Sequence, residues 1–94
     1  MSDTIWRVDI TVMPKDGVSD PQGEAVRGGL GLLGITGVER VRVGRHIEVD
    51  VVALDEASAR AITTEMAEQL LANLVIEQFQ ISTIRAVEGS GTPR

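Results

Sequence analysis

The chain has no cysteine among its 94 residues, which removes disulfides, thiol nucleophiles and thiolate metal ligands at once. Aromatic residues are almost as scarce: Trp6 and Phe79 are the only two. The core must therefore be aliphatic, built from Val, Ile, Leu and Ala, and no aromatic platform exists on which nucleic-acid bases could stack. Nor is there a basic surplus. The formal net charge is −5, and an acidic chain without a basic stripe repels a phosphate backbone. No apolar run approaches the ~20 residues of a membrane span. The start, Met1-Ser2-Asp3-Thr4, lacks the basic and apolar regions of a secretory signal. These features lead to the expectation of a cytoplasmic protein without nucleic-acid or membrane partners.

What remains is enough for one domain, expected over residues 1–85, with a flexible tail over 86–94. Trp6, Val8, Ile10 and Val12 alternate with Arg7, Asp9 and Thr11, which predicts a half-buried strand from Ile5 to Met13. Pro14-Lys15-Asp16-Gly17 supplies turn chemistry. Asp20 followed by Pro21 is a helix start, with a carboxylate for the first free amides and a proline where no donor is lost. The helix is expected to reach Leu33 and stop at Gly34, with Ala25, Val26, Leu30 and Leu33 toward the core. Gly28, Gly29 and Gly31 each weaken it by roughly 1 kcal/mol relative to Ala, so it must lean on packing.

Val38–Val43 and Arg45–Ala53 read as two strands joined in a tight hairpin, with Gly44 at positive φ. Arg40 and Arg42 would then pair across it with Glu48 and Asp50. Asp55 caps a second helix reaching about Asn73, with Ala59, Ile62, Met66 and Leu70 inward and Glu56 paired to Arg60. A last strand, Ile76–Ile84, has Phe79 and Ile81 as core contacts. The order βαββαβ predicts an α+β ferredoxin-like sandwich: a four-stranded antiparallel sheet with two helices on one face. The last strand could belong to the chain's own sheet or to a partner's.

Catalytic patterns are missing. His46 is the sole histidine, so a typical zinc or copper site lacks its second ligand and the residue reads as solvated or interfacial. Ser58, Thr63, Thr64 and Ser82 have no evident His/Asp partnership. The glycines at 28–31 fall inside a helix rather than in a phosphate-binding loop. Two segments exceed what a sandwich requires. In the first, Lys15 to Gly23, turn and cap chemistry explains Gly17, Asp20 and Pro21 but neither Lys15 nor Gly23; the second is Val41 to Glu48.

Those segments resemble the PurS family of phosphoribosylformylglycinamidine synthase subunits. Family members carry a Pro-Lys-x-Gly-Val-like turn and Asp-Pro-x-Gly opening a helix, here Pro14–Val18 and Asp20–Gly23. A Leu-Gly helix end follows, Leu33-Gly34, then Val-Arg-x-Gly-Arg at Val41–Arg45, with Ile47 and Glu48. Leu70-Leu71-Ala72-Asn73 before Val75-Ile76-Glu77 matches a third block, although Leu74 stands where the family usually has proline. The resemblance covers about Ile5 to Ile84.

The resemblance implies a non-catalytic assembly subunit in de novo purine biosynthesis. It would bridge the ATP-dependent synthetase PurL and the glutaminase PurQ and support ammonia transfer. It would also form a homodimer or tetramer. No cofactor is expected in this chain, with ATP and Mg held by the synthetase. Lys15, Asp20, Gly23, Arg42, Gly44, Arg45, Glu48 and Asn73 are the expected partner-binding residues. Two other functions share the element order. A regulatory domain would bind a free metabolite without PurL, and an acylphosphatase-like enzyme would need an anion-cradling loop that the first turn does not show.

Overall fold

The alternation in the first strand is realised fully in the computed structural model, which describes residues 3–87. Strand β1, Thr4–Pro14, lies at the centre of a three-stranded antiparallel sheet. Strand β2, Arg45–Ala53, pairs on one side of it, and β3, Glu77–Ala86, on the other, giving the order β2-β1-β3. Val8, Ile10 and Val12 are completely buried on one sheet face, where Val51, Ala53, Phe79 and Ile81 join them. Arg7, Asp9 and Thr11 occupy the opposite face, as period-2 geometry requires.

Helix α1 spans Pro21–Leu32, and α2 spans Glu56–Met66, continuing as a π-helical turn over Ala67–Leu71. Asp55 caps α2 by accepting from the Ser58 amide at 2.8 Å, and Glu56 pairs with Arg60 at 3.9 Å. The residues α2 presses on the sheet are small: Ala59, Thr63 and Ala67 are all fully buried. Their size lets the helix approach closely. Ile62 and Leu70, expected inward, are exposed instead, Leu70 because the π turn shifts the helical phase past Met66.

Three expectations are corrected. The sheet has three strands, because Val38–Val43 pairs with nothing among the described residues and no hairpin forms at Gly44. Positive φ belongs to Gly17, Gly34 and Gly37, not to Gly44. Helix α1 does not lie on the sheet either: Gly23 is its only buried residue, while Ala25, Val26 and Leu33 are exposed. A helix so rich in glycine and so short of contacts gains little from this chain alone. The last strand, in contrast, is not exchanged. It pairs with β1 of its own chain, runs on to Ala86 and is extended by a bond from the Val87 amide to the Ile5 carbonyl. Of the expected tail, residues 88–94 lie outside the described residues.

One buried side-chain polar atom is unsatisfied among the described residues: Oγ1 of Thr63, on the sheet-facing side of α2. An unpaired buried hydroxyl costs more than its loss would. Thr63→Val, nearly the same shape, should therefore raise unfolding stability by about 1 kcal/mol in chemical denaturation.

Candidate functional site

The eight residues singled out from sequence gather largely at one end of the sheet, where β1 finishes, β2 begins and α1 starts. Asp20 is the centre. One carboxylate oxygen accepts from the Gly23 amide at 3.1 Å, capping α1, and the other accepts from the Val43 amide at 3.0 Å. One side chain thus ties two segments 23 residues apart. Gly23 is required beside it: a Cβ there would overlap the Val41 carbonyl oxygen and press on the Asp20 carboxylate. Gly44 is constrained in the same way, since a Cβ would overlap the Val12 carbonyl oxygen and the Met13 sulfur. Both glycines are fixed by close approach of chain to chain, a signal that hydrophobic periodicity does not carry.

Arg42 adds a third tie. Its guanidinium donates to the Pro14 carbonyl and lies 3.8 Å from Asp16. The expected pairing of Arg40 and Arg42 with Glu48 and Asp50 is not formed. Asp50 receives a two-pronged contact from Arg7 at 2.8 and 2.9 Å, across the β1–β2 pair. Arg40 faces Asp16 at 3.8 Å.

Arg45 closes the other side of this end. It grips Glu77 through two nitrogens, at 2.9 and 3.1 Å, and donates to the Leu71 carbonyl at 2.6 Å. Glu77 also accepts from the Asn73 amide at 2.8 Å, while the Asn73 side chain accepts from the Val75 amide. The loop between α2 and β3 is therefore pinned to the start of β2. The Arg45 guanidinium and the Asn73 amide hold the Glu77 carboxyl below its ordinary value of 4.5. Between this clamp and α1 lies an open groove of about 410 Å³, lined by Ser19, Pro21, Gln22, Gly44 and Arg45 among others. Lys15 and Glu48 make no side-chain hydrogen bond or ion pair among the described residues, and both side chains are exposed.

On the open sheet face, where the alternation puts Asp9 and His46 among the polar residues expected to meet a partner, the structure brings together a cluster that sequence reasoning does not foresee. Asp9 lies 3.3 Å from His46 Nε2 and accepts from the Thr83 hydroxyl at 2.6 Å. The Thr83 hydroxyl, with help from His46, lowers the Asp9 carboxyl below its ordinary range. The three residue types match a hydrolytic triad, but the order does not. A triad places the imidazole between hydroxyl and carboxylate, whereas here the carboxylate stands between the other two. The Thr83 hydroxyl donates directly to Asp9, so the cluster laces three strands together. Its members come from β1, β2 and β3, so only the register of the folded sheet reveals it.

The geometry defines a small α+β domain whose best-built polar site holds chain segments in place. The family model described as PurS, phosphoribosylformylglycinamidine (FGAM) synthase, matches residues 7–85. The chain is 46% identical over 87 residues to the PurS subunit of phosphoribosylformylglycinamidine synthase from Synechocystis, covering 93% of this chain and 84% of that one. The solved structure of Thermus thermophilus PurS matches with a TM-score of 0.77 at 32% identity, covering 88% of this chain and 98% of that one. A chain of the PurLQS structure from Thermotoga maritima matches with a TM-score of 0.74 at 28% identity, with 88% and 98% covered. This chain belongs to the PurS family of FGAM synthase subunits.

Two outcomes test the site's architecture. Gly23→Ala should destabilise the fold by roughly 1–3 kcal/mol, the usual cost of overpacking, and denaturation reads it directly. Because the Glu77 carboxyl is lowered on folding, its contribution is complete above its unfolded value and is lost as pH falls through the lower folded one. Glu77→Gln should therefore flatten the acid limb of a stability–pH profile and leave its neutral plateau lower.

Proposed function

We propose that the chain is the non-catalytic assembly subunit of the FGAM synthase complex in de novo purine (IMP) biosynthesis. It bridges the ATP-dependent synthetase PurL and the glutaminase PurQ and supports ammonia transfer between them. The observation that carries this reading is the likeness, over most of both chains, to PurS subunits, including a chain of a PurLQS structure. The site chemistry agrees. Asp20, Arg42 and Arg45, the charged groups that a reaction would draw on, are engaged in holding the backbone.

The same reading divides the expected partner-binding residues in two. Asp20, Gly23, Arg42, Gly44, Arg45 and Asn73 shape the end of the sheet, and Lys15 and Glu48 extend from it to meet the partner subunits. Charged side chains of this kind at an interface rim set register and association rate more than affinity. The chain works in the cytoplasm as a homodimer or tetramer, without a cofactor of its own; ATP and Mg are held by PurL. Among the described residues no helix is long and apolar enough to cross a membrane.

Reconstitution tests the proposal. PurL and PurQ supplied with ATP, magnesium, glutamine and formylglycinamide ribonucleotide should need this chain for glutamine-dependent product formation. Full turnover without it would overturn the bridging role. Turnover of ATP or glutamine by this chain alone would overturn the non-catalytic one.

A further inference from the structure

Two arginines near the end of the sheet are poorly matched by their own chain. The guanidinium groups of Arg40 and Arg42 both stand 3.8 Å from the same oxygen, Oδ1 of Asp16. That is close enough for attraction but too far for a hydrogen bond, which needs about 3 Å. Arg40 makes no hydrogen bond among the described residues, and Arg42 uses one donor on the Pro14 carbonyl. Each guanidinium is a fork of N–H donors, so most of both forks is unfilled. Lys15 adds a third cation to the same rim, with an exposed side chain.

The three cations line a cavity of about 230 Å³ together with Asp16, Asp20 and Glu24. None of these carboxylates hydrogen-bonds the guanidiniums. Asp20 has both oxygens on backbone amides, those of Gly23 and Val43. Glu24 is paired along α1 with Arg27, at 3.6 Å. Asp16 rides on a turn that its neighbours fasten. The Lys15 amide donates to the Ile76 carbonyl at 2.9 Å, and the Val18 amide to the Lys15 carbonyl at 3.3 Å. The Asp16 side chain, 81% exposed, stops short of both forks.

The crossing of the chain fixes where the two arginines stand. Asp20 holds Gly23 and Val43, so Arg40 and Arg42 lie at the root of the arm formed by residues 24–42. Groups held in place in this way lose little freedom on binding. The chemistry of the occupant follows from the rim. A free phosphate or nucleotide brings multiple negative charge toward Asp16, Glu24 and a chain of net charge −5, which repel it. A carboxylate on a protein surface brings a single charge and a planar pair of oxygens that matches the guanidinium fork. Its neighbours on that surface can also answer Asp16 and Glu24, which a small anion cannot do.

We infer that an Asp or Glu side chain of a partner subunit inserts between Arg40 and Arg42 and displaces Asp16, with Lys15 reaching a second acidic group beside it. Asp16 is then a placeholder that occupies the cation pair loosely until the partner arrives. The contact presupposes the bridging role proposed above and gives its partner a chemistry: an acidic patch on the surface of a subunit that the chain joins.

Affinities of the full chain for PurL and for PurQ, read by calorimetry at low and at high salt, test the contact. Arg40 is exposed, so Arg40→Ala should leave the denaturation curve unchanged while weakening binding to one of the two subunits by about tenfold or more. Arg40→Lys, which keeps the charge and loses the fork, should recover only part of that loss. Asp16→Asn should strengthen the same binding about two- to fivefold, because no carboxylate then has to be displaced. Wild-type affinity should fall as salt rises, and Arg40→Ala should flatten that fall. Equal affinities of wild type and Arg40→Ala for both subunits, or weaker binding by Asp16→Asn, would overturn the contact and leave the bridging role standing. Binding of inorganic phosphate to the chain alone, lost in Arg40→Ala, would make the occupant a free anion and overturn it as well. A changed oligomer mass for Arg40→Ala in light scattering, with partner affinity intact, would assign the arginines to contacts between copies instead. A wild type that binds neither subunit would overturn both the contact and the bridging role.

Discussion

The carboxylate of Asp20 is the contact on which the rest of this structure depends. A helix cap ordinarily satisfies the amides of one helix, as Asp55 does for α2. Asp20 caps α1 and also holds Val43, so the helix start and the return of the chain toward β2 are fixed to one another. The Asp-Pro-x-Gly block then has a physical meaning. Asp20 makes the two bonds, Pro21 fits the first helical position, and Gly23 leaves room for the Val41 carbonyl. The residues sit close together because the chain crosses itself here.

Much of the central body was legible in the sequence. The alternation around Val8, Ile10 and Val12, the caps at Asp20 and Asp55, and the strand carrying Phe79 and Ile81 are local signals, and local physics decided them. The errors arose where the outcome depended on something distant. Residues 38–43 have a strand's pattern, but a strand needs a neighbouring edge, and the Asp20 tie keeps these residues from the edge of β2. The apolar side of α1 has a core helix's spacing without a core beneath it. Leu70 departs from the expected inward face because a π turn interrupts the helical phase, which a fixed 3.6-residue period cannot register. Gly23 has no role in turn chemistry and Gly44 reads as a hairpin glycine, yet both are set by contact with backbone far along the chain.

A domain of this kind serves an assembly through shape and charge. Its two tight clusters, Asp20 with Val43 and Arg45 with Glu77, rigidify one end of the sheet, while Asp9, His46 and Thr83 lace the open face. Contacts already ordered at the sheet's end are entropy that would not be lost if a partner subunit bound there, as proposed above. The chain belongs to the PurS family of FGAM synthase subunits, and the sequence blocks that carry the family likeness largely build this end of the sheet.

Hydrogen exchange at the Val43 amide tests the dependence on Asp20 most directly. The account predicts that Gly23 and Val43 exchange slowly in the wild type, and that Asp20→Ala releases both while the β1–β2 ladder stays protected. If Val43 exchanges in the wild type as fast as the unbonded residues before it, or is unmoved by Asp20→Ala, the tie does not hold the arm and the account fails.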